Sequence, residues 1–227
     1  MQKSPAAIEL FEALLNPEQP LTETAAAEAM VSAARETCWC RNQACDAVIA
    51  RGAVACVLGG AVRKFAVGPN GRRQIIDLIV TGDFLGFAPA DPAFLLEAVS
   101  NETRMASFTQ DRIDDLEARF PAVSALMQNC AAQAIHRLEH HLLVQSRITA
   151  REKVTAYLAA ITRRMKRSRK NTIVLPVSRY DIADHLGIAV ETVSRTMTVL
   201  RRRGSIAFES PRHIEIRDEA MLSDRYS

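Results

Sequence analysis

The chain has 227 residues, 48% apolar and 24% charged, enough to bury one large core or two modest ones. Its net charge of +3 is unevenly spread: from Arg151 onward there are 16 Lys/Arg against 9 Asp/Glu, while the first 150 residues carry 13 against 17. No apolar run approaches the ~18 residues of a membrane span, and five cysteines, an odd number, argue against a secreted disulfide framework. The expectation is a cytoplasmic chain with no membrane partner, whose basic last third meets a polyanion.

Met1–Pro5 carries a single Lys, and Glu9 and Glu12 interrupt the following apolar stretch, so no secretory leader is expected. Residues 8–35 are rich in Ala and Glu and read as one or two short helices separated by Asn16-Pro17-Glu18-Gln19-Pro20, with Thr22 as N-cap of the second. From Cys38 to Phe108 the character changes to short β-prone runs, Val54–Leu58, Ala61–Val67 and Gln74–Val80, punctuated by Gly59-Gly60, Gly82-Asp83 and a Gly68-Pro69-Asn70-Gly71 hairpin signal. Such a density of short strands predicts a small antiparallel barrel or sandwich.

Pro121 opens a different regime. Val123, Leu126, Met127, Cys130, Ala134, Ile135, Leu138 and Leu142 recur at helical spacing over about 24 residues, roughly 36 Å of helix. A helix of that length with a narrow apolar stripe pairs readily with a second copy, so Leu126, Cys130, Ile135, Leu138 and Leu142 are the expected seam of a homodimer. His136, His140 and His141 lie on the same helix and read as polar face positions, not metal ligands. A further helix over 149–162 leads to the basic run Arg163-Arg164-Met165-Lys166-Arg167-Ser168-Arg169-Lys170. Two short helices follow Pro176, and 205–217 reads as a terminal β-hairpin turning at Ser210-Pro211.

The segment 177–200 carries the chemistry. Ser178 and Asp181 have the spacing of a capping box; Ile182, Ala183 and Leu186 form an apolar helix face; Gly187 suits a tight turn with positive φ. Val193, Met197 and Leu200 point inward from the second helix, leaving Val190, Glu191, Ser194 and Arg195 outward. This is a helix-turn-helix, whose second helix enters the major groove. Arg195 can donate two hydrogen bonds to guanine and Glu191 can accept from cytosine N4, with Ser194 and Val190 beside them. Ser178, Arg179, Thr192, Arg201 and Arg202 are the expected backbone-contacting residues, with Arg203 alongside, and the terminal hairpin reads as a wing.

Glu191-Thr192-Val193-Ser194-Arg195 after Ile182-Ala183-Asp184-His185-Leu186-Gly187 resembles the Crp/Fnr superfamily of bacterial regulators. The chain is similar to that family upstream as well, at Gly60-Ala61-Val62-Arg63-Lys64, Asn70-Gly71-Arg72-Arg73-Gln74-Ile75 and Gly82-Asp83-Phe84-Leu85-Gly86-Phe87. Ser178–Asp184 with Val190-Glu191 looks closest to its FixK-like branch. The resemblance implies an α+β chain: an N-terminal helical segment (1–37), a β-roll resembling a cyclic-nucleotide-binding barrel (38–120), a dimerisation helix (121–147) and a winged helix-turn-helix (148–227). It also implies a homodimeric transcription regulator on double-stranded DNA, an activator that touches RNA polymerase, at a TTGA-N6-TCAA-like palindrome.

The sensor-like region departs from the cyclic-AMP-binding members. Phe87 or Gly86 stands where they carry Glu, and 88–107 holds no Arg-Ser or Arg-Thr phosphate clamp; Arg104 lies on what reads as the next strand. Independence from cyclic nucleotide is therefore expected. Cys38, Cys40, Cys45 and Cys56 leave a redox or iron–sulfur alternative open, as in Fnr-like members. Against it, the strand Met105-Ala106-Ser107-Phe108 lacks the family's later cysteine, and Cys45 and Cys56 are expected inside barrel strands as small apolar residues. The family's Gly-Asp turn is missing at Ile49-Ala50-Arg51-Gly52. Without a Gly-x-Ser-x-Gly, a Walker loop or a Cys-x-x-Cys pair, no catalytic residues, cofactor or enzyme activity are expected.

Overall fold

The alanine- and leucine-rich start of the chain forms α1 (Pro5–Leu15) and α2 (Thr24–Ala33), with proline at the first helical position, where its missing N–H costs nothing. The computed structural model describes residues 5–16, 24–88, 91–147, 149–165, 172–210 and 212–217, with backbone alone at 50–52. Thr22, expected as an N-cap, lies outside them. The residues divide into two units, 1–66 with 77–138, and 67–76 with 139–227.

The first unit is built on two sheets. One has the order β1-β7-β2-β5, from β1 (Arg35–Trp39), β2 (Val54–Gly59), β5 (Phe84–Leu85) and β7 (Thr103–Phe108). The other has the order β4-β3-β6, from β3 (Ala61–Val67), β4 (Arg73–Val80) and β6 (Leu95–Ala98). β2, β3 and β4 fall where the hydrophobic runs place them. β2 is closed to water along nearly its whole length, as a strand covered on both faces must be. Gly86 shows why its position is a glycine: its φ is +98°, and a Cβ would sit 2.3 Å from the Ala53 carbonyl oxygen.

One local expectation needs correction. Cys45 is buried but not on a strand; it precedes a 3-10 helix, Asp46–Gly52, that occupies the stretch lacking the Gly-Asp turn. That helix is fastened to β6 by Asp46 Oδ1, which accepts from the Leu96 amide at 2.8 Å, and by the Cys45 amide, which donates to the Leu96 carbonyl at 2.9 Å.

The charged segment Gln110–Arg119 forms α3, buried only through Ile113 and Leu116. α4 runs from Pro121 to Gln145, and its residues through Leu138 belong to the first unit. Val123, Leu126, Met127 and Cys130 on α4 join Phe11, Met30, Phe84 and Phe108 in one apolar core, in which Phe11 and Phe108 meet edge to face at 6.1 Å.

The second unit holds α5 (Ala150–Arg164), β8 (Thr172–Val174), α6 (Arg179–Leu186), α7 (Val190–Arg202), β9 (Ile206–Phe208) and β10 (His213–Ile216). α5 begins at a complete capping box between Thr149 and Glu152. The three strands pair antiparallel in the order β8-β10-β9. α7 buries Val193, Met197 and Leu200 as the spacing predicts. Two sheets, a long helix and a C-terminal winged helix-turn-helix make the α+β architecture expected from the sequence.

Candidate nucleic-acid interface

The capping box at Ser178 forms as its spacing predicts. Asp181 Oδ2 accepts from the Ser178 amide at 3.0 Å and from its hydroxyl at 2.6 Å, and Ser178 Oγ accepts from the Asp181 amide at 3.2 Å. α6 then runs two turns and stops at Gly187, whose φ of +64° is left-handed. The chain re-enters a helix three residues later at Val190.

On α7, Glu191 and Arg195 are exposed, while Val190, Thr192 and Ser194 are half-buried on the same outer side. Arg179 is fixed between elements: its Nη1 donates to Ser194 Oγ at 3.4 Å, and its guanidinium stands 5.5 Å from the Phe208 ring on β9. It therefore ties the first helix to the second and to the wing. Arg201, Arg202 and Arg203 are exposed at the end of α7. Of the basic run, Arg163, Arg164 and Met165 are described, and residues 166–170 lie outside the described residues. In the wing, Ser210 Oγ and His213 Nδ1 are 2.7 Å apart; Pro211 is outside the described residues.

Behind α6 lies a buried cluster that sequence reasoning missed. The His185 ring stacks on His141 at 4.0 Å and meets the edge of Tyr157 at 5.7 Å. Burial pulls the His185 pKa down to about 3, with the neighbouring His141 acting in the same direction, so the ring is neutral. Gln145 Nε2 donates to the His185 carbonyl at 2.6 Å. The helical stripe signalled a core, but not that two histidines would share it.

The expected seam residues separate into two groups. Leu126 and Cys130 are 5% and 6% exposed, closed within the core of their own chain. Ile135, Leu138 and Leu142 are 60%, 40% and 68% exposed, and Leu143 beside them is 61% exposed. Among the cysteines, Cys38 and Cys40 are exposed. Burial pushes Cys45 up to about 12 and Cys56 well above its ordinary value. It also raises Cys130 to about 11, helped by Asp83 and opposed by Arg137. A thiol held neutral is a poor metal ligand and a poor nucleophile. Among the described residues no three His, Cys, Asp or Glu gather as a metal site, and no helix is long and apolar enough to cross a membrane.

Comparison with known proteins agrees with this geometry. Residues 152–225 match the Crp-like helix-turn-helix domain. The chain is 36% identical over 166 residues to the nitrogen fixation regulation protein FixK of Rhizobium meliloti, covering 72% of this chain and 74% of that one. It is 31% identical over 175 residues to the transcriptional activator protein FnrL of Cereibacter sphaeroides, covering 74% and 71%. Its structure is similar to that of FixK2 from Bradyrhizobium japonicum, with a TM-score of 0.70 and 28% identity over 83% of this chain and 95% of that one. A CooA mutant from Carboxydothermus hydrogenoformans shares the fold, with a TM-score of 0.69 at 17% identity over 94% of each chain. The chain belongs to the Crp/Fnr family of DNA-binding transcription regulators, in its FixK-like branch.

Proposed function

We propose that the chain acts as a homodimer on a palindrome resembling TTGA-N6-TCAA, activates transcription through RNA polymerase, and does so without a cyclic nucleotide. The outward pair Glu191 and Arg195 on α7 carries this reading. One guanidinium and one carboxylate a turn apart suit a guanine and an opposite-strand cytosine or adenine, and Val190 supplies no further donor at the preceding position. Val190, Glu191, Ser194 and Arg195 are the base-reading set, and Ser178, Thr192, Arg201 and Arg202 set register on the phosphates; Arg179 joins them through Ser194.

The apolar patch of Ile135, Leu138, Leu142 and Leu143 supports the dimer, because four large side chains open to water on consecutive turns of one helix want a cover. Leu126 and Cys130 instead serve the chain's own core. Independence from cyclic nucleotide is supported by the absence of an Arg-Ser or Arg-Thr pair over 88–107 and by the partners of two arginines of the β-roll. Arg104 pairs with Glu36 at 3.5 Å, and Arg63 is buried against Glu97 and Asn42, donating from Nε to Glu97 at 2.9 Å. Both guanidinia thus already have carboxylate partners within the chain.

Selection from a random DNA pool with the full chain, without added nucleotide, tests this reading. A two-fold TTGA-type palindrome is expected. Enrichment only on adding cyclic AMP or cyclic GMP, or no palindrome at all, contradicts it.

A further inference from the structure

The tip of the β3–β4 hairpin belongs to the second unit, and its residues meet the C-terminal half of α6. Arg73 lays its guanidinium on Asp184, with Nη2 at 2.7 Å and Nε at 3.0 Å from the same oxygen, and Nη2 also stands 3.5 Å from Asp181 Oδ1. Next along, Gln74 Nε2 donates to the His185 carbonyl at 3.3 Å, and the His185 ring nitrogen Nδ1 lies 3.2 Å from the Ile75 carbonyl oxygen. Three consecutive hairpin residues thus engage one helix end, and they do so where a helix leaves its last carbonyls unpaired.

Resting on the reading of α7 as the base-reading helix, we propose that Arg73 and Gln74 are positioning residues for DNA reading, clamping the turn of the helix-turn-helix so that α7 is presented at a fixed angle. Gly187, the pivot between α6 and α7, lies directly beside this clamp: a Cβ on it would come within 3.7 Å of Gln145 and 3.9 Å of Gln74. The pivot is left-handed, and its direction is held by the contacts around it together with the Arg179–Ser194 hydrogen bond between the two helices.

Two features set the sign of the effect. The clamp touches Asp184 and His185 and leaves Glu191 and Arg195 exposed, so it does not cover the reading face. Arg73 also neutralises two carboxylates, Asp181 and Asp184, on a helix that has to approach a polyanion. Engagement therefore favours DNA binding.

The test uses the full chain and the palindrome selected from the random pool, with a scrambled duplex as control. Arg73→Ala is expected to weaken binding to the palindrome about threefold to fivefold, a modest effect because the pair is partly open to water. The slope of affinity against salt should stay unchanged, since Arg73 acts on Asp184 and not on a phosphate. The reversed pair, Arg73→Asp with Asp184→Arg, should recover binding to within about twofold by the logic of a double-mutant cycle. Wild-type affinity in Arg73→Ala, a salt slope reduced by about one unit, or failure of the reversed pair to recover binding overturns the proposal. Arg195→Ala run in parallel separates the two ideas. If it abolishes discrimination while Arg73→Ala changes nothing, only the clamp fails; if it too has no effect, the reading of α7 fails.

Discussion

Arg137 on α4 and Asp77 on β4 form an ion pair almost closed to water, with Nη2 at 3.2 Å from Oδ2 and side-chain exposures of 10% and 12%. Asp83 joins at 3.4 Å. Burial works against the charged guanidinium, but the two carboxylates outweigh it and hold Arg137 above its ordinary value. Removing one member of such a group leaves buried charge without a counterion. Arg137→Met is expected to cost about 3–5 kcal/mol in the first unit, read as a lowered denaturation midpoint. Arg137→Met combined with Asp77→Asn should recover part of the loss. An unchanged midpoint in the single variant would show that water reaches the carboxylates.

The helix that carries Arg137 buries one part of its apolar stripe and exposes the part we propose as the dimer seam. Leu138→Glu should leave the chain folded but monomeric in light scattering, because Leu138 is open to water in the single chain and would place an uncompensated charge in a dimer seam. Leu126→Ala should behave in the opposite way, lowering stability by about 2–5 kcal/mol while the dimer persists. A dimeric Leu138→Glu, or a stable monomer from Leu126→Ala, would reverse the assignment.

His185 makes the second unit sensitive to acid. Its folded pKa of about 3 lies below the ordinary 6.5, so the folded form favours the neutral ring. The sign follows from proton uptake. Above pH 6.5 neither state binds a proton and the contribution is complete; between 6.5 and 3 the unfolded chain gains a proton the folded one refuses, and stability is lost as pH falls. The limiting slope is about 1.4 kcal/mol per pH unit. His185→Phe should therefore show a flatter loss of stability from pH 7 to pH 5 than wild type, measured by denaturant midpoints. Equal slopes would place the acid sensitivity elsewhere.

The strands β2, β3 and β4, the capping box at Ser178 and the inward face of α7 were legible in the sequence because each is a local pattern, a run, a spacing or a period. β1 was extended upstream without notice, since Arg35-Glu36-Thr37 is a polar edge with no alternation to read. β8 is three residues long and exists through its pairing with β10, about 40 positions away, as Ile173 with Ile214 shows. α3 buries two residues of ten, too few for a stripe. One continuous stripe on α4 could not reveal that Leu126 faces the chain's own sheet while Leu138 faces solvent, because the spacing is the same and only the neighbour changes. Arg73 escaped for the same reason: its partner Asp184 is 111 residues away.

Specificity should respond at one position before α7's reading pair. Val190→Arg adds a second guanidinium at the start of the recognition helix and is expected to move the preferred half-site toward a guanine-richer one. The shift corresponds to about 1–3 kcal/mol of discrimination, measured by competition between two duplexes. No change in preference would mean that the first turn of α7 does not reach the base edges.

The central claim, that α7 reads bases through Arg195, is tested most directly by titrating wild type and Arg195→Ala against the selected palindrome and a duplex with the half-site guanine replaced. Wild type should separate the two by about 1–3 kcal/mol for each half-site. Arg195→Ala should bind both equally, retaining only weak binding that falls steeply with salt through residues such as Arg201 and Arg202. Full discrimination in Arg195→Ala would contradict the assignment of the recognition helix.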